Sequence, residues 1–160
     1  MLRRVSVLIL LVILCVSGSH GAEPFSAPYD RVEVAPSKTS IYLGYVSMTM
    51  PPFARKGTVF ESTYVAKVVP FVFYNESGRL NIEFSDDMLR QLERGEPVDF
   101  KGLAVNSEGA ERRVEGRATP TAARAGKIKV RVFYSKRIEL IFNTTYHFPA
   151  TTSAQPAKAG

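Results

Sequence analysis

The chain has no tryptophan, two histidines and one cysteine among its 160 residues, and each scarcity closes off a class of chemistry. Cys15 lies in an apolar run from Val5 to Val16, which follows Arg3 and Arg4 and precedes Ser17, Gly18 and Ser19. That is the charged, apolar, small-residue order of an export signal. The run is shorter than the roughly 20 residues a membrane-spanning helix needs, which favours a cleaved signal over an anchor. Ser19 and Gly21 suit cleavage after Gly21, so residues 1–21 read as a signal peptide and the mature product as secreted or periplasmic. Cys15 follows Leu14 inside the apolar run, against lipid attachment, and it leaves with the signal together with His20.

A cysteine-free product forms no disulfide and offers no thiolate to a metal or a substrate. Such a domain fits a bacterial source better than a eukaryotic one, where small exported domains are often stapled. Two glycosylation sequons, at Asn75 and Asn143, pull the other way. His147, alone in the mature chain, cannot build a multi-histidine metal site. Neither G-x-G-x-x-G nor G-x-x-x-x-G-K-S/T occurs, and no G-x-S-x-G elbow marks a nucleophilic serine. No metal and no cofactor is expected.

Charge is unevenly spread. The whole chain is +6, and losing Arg3 and Arg4 leaves 19 Lys and Arg against 15 acids. From Glu76 to Asp99 acids dominate, whereas Arg112 to Arg137 holds many bases and only Glu115. The last third is therefore basic, a candidate surface for anionic partners.

Residues 22–40, rich in Pro, Ser and Ala, and the tail 149–160 read as flexible flanks of a domain spanning 41–148. Within that domain, runs of Val, Ile, Thr, Tyr and Phe recur between turn-forming clusters, predicting strands near 41–50, 58–74, 79–85, 97–105, 111–119, 127–134 and 137–148. Leu80, Ile82 and Phe84 alternate with polar neighbours, as do Ile128, Val130 and Val132, so one face of each strand meets the core. Val68 to Tyr74 is apolar throughout, fitting a strand covered on both faces or a patch that meets a partner, and Pro70 weakens the first reading. One short helix is expected where Ser85 or Asp86 can cap a start, Met88, Leu89 and Leu92 form a stripe, and Gly95 can end it. About seven strands and one helix point to an antiparallel, immunoglobulin-like β-sandwich, with a closed barrel as the alternative.

The strongest lead to a ligand site is a basic face. Arg113 and Arg117 share one side of a strand, and Lys127, Lys129 and Arg131 share one side of the next. The short connection between the two strands favours a hairpin, which would gather five cations on one solvent face. The expected function is a non-enzymatic exported module that binds an envelope protein, an anionic lipid or an acidic polysaccharide, and not nucleic acid. The alternative is a small hydrolase using His147 or carboxylates among Asp86, Asp87, Glu93, Glu96 and Asp99.

Overall fold

A computed structural model describes residues 29–150. The proposed signal, residues 22–28 of the N-terminal flank and the tail from residue 151 lie outside the described residues.

The strands are β1 (Arg31–Val34), β2 (Ser37–Ile41), β3 (Gly44–Thr49), β4 (Phe53–Lys56), β5 (Val59–Val69), β6 (Glu76–Glu83), β7 (Val98–Asn106), β8 (Glu111–Ala122), β9 (Ala125–Phe133) and β10 (Glu139–His147). A 3-10 turn, Val72–Tyr74, separates β5 from β6, and helix α1 (Asp86–Glu93) separates β6 from β7. Two strands thus fall in the segment read as a flank, with β1 in a Val-Glu-Val alternation too short to stand out between prolines.

All pairings are antiparallel, and the ladder runs β2-β3-β5-β4-β1-β10-β9-β8-β7-β6. A further pairing, β5 with β6 from Val59↔Glu83 to Ala66↔Glu76, joins the two ends of the ladder. Eight strands therefore close into a barrel, with the β2–β3 hairpin attached to β5. The immunoglobulin-like β-sandwich is overturned. Alternation along a strand is the same in a sandwich and in a barrel. The difference lies in β1 and β4, four-residue strands that bridge β10 to β5 and leave no open edge in that half of the wall.

Side chains sort by the pleat. On β7, β8, β9 and β10 the inward positions include Phe100, Val114, Val130 and Phe142, while the outward ones between them are largely charged. An apolar interior inside a charged wall is the inverse of a membrane-spanning barrel. Glycines at two inward positions make room for rings on the neighbouring strand. A Cβ at Gly116 would lie 2.2 Å from the Phe100 ring, and one at Gly126 would lie 2.6 Å from the Tyr146 ring. These pairings let the wall curve tightly around large side chains.

Helix α1 closes one end of the barrel, here the lower one. Ser85 caps it by accepting from the Met88 backbone N–H at 3.3 Å, and Gly95, at φ 79°, supplies the left-handed turn that ends it. Its apolar stripe buries Leu89 and Leu92. Arg55 of β4 forms an ion pair with Asp86 that ties the helix start to the wall. Above the helix, inside the barrel, Phe60, Phe84, Phe100, Tyr146, Phe148 and Tyr29 form a chain of ring contacts, such as Tyr29 on Phe148 at 4.8 Å, edge to face.

A candidate ligand cavity inside the barrel

Above the aromatic floor the interior is not filled. A cavity of about 150 Å³ runs upward between β5, β6, β8, β9 and β10. Ile82, Ile128, Val130, Val132 and Leu140 point into the barrel but are only partly buried, because they face this space. Barrels of eight strands have room for interior side chains or for one small ligand, and the slender aliphatic residues here leave such room.

The upper end of the cavity is polar. Glu76, at the start of β6, accepts from the Tyr64 hydroxyl at 2.6 Å through one oxygen. Its other oxygen accepts from Arg112 Nη2 at 3.2 Å and from Asn106 Nδ2 at 3.3 Å. Arg112 also donates to the Glu111 carbonyl and stacks its guanidinium 4.5 Å from the Tyr134 ring. Its Nε is buried without an acceptor among the described residues. Burial and the hydrogen bond to Glu76 push the Tyr64 hydroxyl well above the ordinary tyrosine range. Tyr64, Glu76, Arg112, Tyr74 and Tyr134 all line the cavity, and Tyr74 and Tyr134 are also exposed, so the cavity reaches the surface at this end.

One line of the wall is unzipped. In the upper half, where β1 and β4 do not reach, the β2–β3 hairpin covers the gap between β5 and β10. β3 pairs with β5, but β2 lies beside β10 without a ladder. The bonds that join the two segments are at Ala35, which donates to the Thr145 carbonyl at 3.0 Å and accepts from Thr144 Oγ1 at 2.7 Å. Ser37 and Thr144, on either side of this seam, both line the cavity.

The cations expected to form a basic face lie on the outer wall, away from the cavity. β8 and β9 do pair as neighbours, with Arg117↔Lys129 and Glu115↔Arg131 opposite one another. Each of three cations has found a carboxylate: Arg117 with Asp99 at 2.9 Å, Arg131 with Glu139 at 2.6 Å, and Arg113 with Glu115 at 3.3 Å. The Arg113 guanidinium also lies 3.9 Å from the Phe133 ring. Among the described residues Lys127 and Lys129 remain without an ion pair. Like charges facing one another across β8 and β9 repel, and that repulsion is offset from within the chain, largely by residues of β7 and β10.

The hydrolase residues do not assemble. Asp86 pairs with Arg55, Asp87 with Arg90, Glu96 with Arg94, Asp99 with Arg117, and Glu93 accepts from the Tyr29 hydroxyl at 2.7 Å. His147 is exposed on the lower outer wall, with Glu33 3.3 Å away. None of these side chains lines the cavity. Among the described residues no group of three or more His, Cys, Asp or Glu could hold a metal, and no helix is long and apolar enough to cross a membrane.

The residues at the mouth carried a faint sequence signal. Glu76 and Arg112 stand near the starts of β6 and β8 at positions where the alternation places an apolar side chain, and charges facing inward there need each other as partners. Compared with protein-family models, with curated proteins and with solved structures, the chain finds no match.

Proposed function

We propose that the protein is a non-enzymatic binding module whose ligand is a single-chain amphiphile, held with its apolar chain in the barrel and its polar head at the mouth. The observation that carries this reading is the apolar cavity capped by the Tyr64–Glu76–Arg112 cluster. A cavity of about 150 Å³ is the size that takes a benzene ring in an apolar core. Drug-sized ligands and cofactors occupy about 300–1,000 Å³. The fit is to a slim chain, not to a nucleotide or a macrocycle. The apolar walls offer water few partners, whereas the buried Arg112 Nε lacks an acceptor that a ligand oxygen could supply. Export suits this role, since the chain would meet its ligand in the envelope or outside the cell.

Calorimetric titration with dodecanoate and with dodecanol tests the reading. Saturable one-to-one binding is expected for the wild type, and its loss in Val130→Phe, where a ring would fill the space between Phe142 and Gly116. A folded wild type that binds neither probe overturns it.

A further inference from the structure

Among the described residues, seven of the ten exposed large apolar side chains gather in three loops, while Val65, Leu103 and Ile141 lie on the strands of the wall. Tyr42 (99 % exposed) and Leu43 (62 %) form the tip of the β2–β3 hairpin, Val72, Phe73 (74 %) and Tyr74 form the 3-10 turn after β5, and Tyr134 and Ile138 flank the β9–β10 turn. These three loops are consecutive around the upper rim, because the β2–β3 hairpin sits between β5 and β10. The fourth upper loop, between β7 and β8, is different: Asn106, Ser107, Glu108 and Gly109 are polar or acidic. Phe73 packs against Phe71 and Tyr74 in a small ring cluster that presents its remaining surface to solvent. Three adjacent loops with apolar tips make one patch, and a patch of that kind marks an interaction site.

We infer that this side of the barrel mouth docks on an anionic lipid surface. Two observations choose that occupant. First, the patch borders the mouth and the β2–β10 seam, so its apolar surface is continuous with the cavity through Tyr74 and Tyr134. Second, the β9–β10 turn carries Lys136 and Arg137, both exposed and without an ion pair among the described residues, beside Ile138. The nearest acid in the sequence, Glu139, is held by Arg131. Cations beside exposed Tyr, Phe and Leu side chains are the combination that binds headgroups and the acyl boundary together. The inference extends the proposed ligand reading, since an amphiphile that leaves a bilayer here would pass from one apolar surface to another without crossing water.

Flotation with phosphatidylcholine vesicles, with and without phosphatidylglycerol, tests the docking separately from the cavity. Wild type is expected to float with the mixed vesicles, Leu43→Ser with Phe73→Ser to weaken binding at least about tenfold, and Lys136→Glu with Arg137→Glu to weaken it roughly tenfold at low salt and little at high salt. All variants should keep the thermal transition of the wild type and its dodecanoate affinity. Wild type that floats with neither vesicle, variants that float equally well, or a dimer in solution that buries the three loops would each overturn the docking. Loss of dodecanoate binding in the wild type would strike the cavity reading alone.

Discussion

The two ends of the barrel are built from the same strands and have opposite character. The lower end is packed: α1 lies across it, Leu89 is wholly buried, and the rings of Phe84, Phe100 and Phe148, in contact with their neighbours, form the floor where the cavity ends. The upper end has aliphatic walls, a charged pair and exposed rings. Stability concentrated at one end frees the other to keep a void and an apolar rim, features that cost stability wherever they occur.

The sharpest way to break this contrast is to truncate apolar side chains at both ends. Phe148→Ala is expected to cost about 3–5 kcal/mol and Leu89→Ala about 2–5 kcal/mol, because each removes a packed group that little can replace. Val132→Ala, at the cavity wall, is expected to cost less than about 1.5 kcal/mol, since part of that side chain already faces empty space. Equal losses in urea denaturation would show that the two ends share one uniform core.

Gly116→Ala probes the floor from the other direction. Its new Cβ would meet the Phe100 ring, and overpacking of this kind costs about 1–3 kcal/mol. Phe100→Leu in the same chain should recover part of the loss, a non-additivity that a double-mutant cycle measures.

Each end also has one tyrosine that donates to a carboxylate, and alkali separates them. Burial, reinforced by the hydrogen bond to Glu93, pushes the Tyr29 phenol from 10.0 up to about 12. Tyr64 is raised further by burial and Glu76. A phenol with a raised folded-state pKa stabilises fully below its unfolded value, and that contribution is lost as pH climbs through the folded value. Stability should therefore hold up to about pH 10 and fall beyond it, with Tyr29→Phe flattening the first part of the fall. A flat profile to pH 12 would contradict the arrangement.

The smallest effect belongs to the outer wall. Lys127→Glu with Lys129→Glu is expected to change stability by less than about 0.5 kcal/mol per site and to leave dodecanoate binding untouched. A large loss of binding to acidic polysaccharide in this variant would return the basic face to functional standing.

Much of the wall was legible because the pleat writes itself into sequence. Ile128, Val130 and Val132 alternating with Lys127, Lys129 and Arg131 gave β9 both its span and its outer face, and the short link after β8 gave the hairpin. Helix α1 was equally plain from Ser85, Leu89, Leu92 and Gly95. Closure was not legible, since β1 and β4 have four residues each and the strand that β1 joins, β10, lies at the far end of the domain. A signal for it did exist in Gly116 and Gly126, inward glycines opposite Phe100 and Tyr146, which a flat sheet would not need. The apolar stretch through Val72, Phe73 and Tyr74 was ambiguous for a different reason: hydrophobicity reports a preference to leave water, not whether protein or lipid provides the place.

The unladdered line between β2 and β10 has a mechanical consequence. In a fully zipped barrel, widening the lumen means breaking hydrogen bonds between strands. Here the hairpin can swing outward about its attachment to β5 while every strand pair in the sheet stays intact. The interior behaves less like a fixed socket than like a sleeve with one unsewn edge, whose girth follows what is inside it. Edge amides of β2 and of upper β10 should then exchange with solvent faster than those of β8, and slow when a chain fills the lumen.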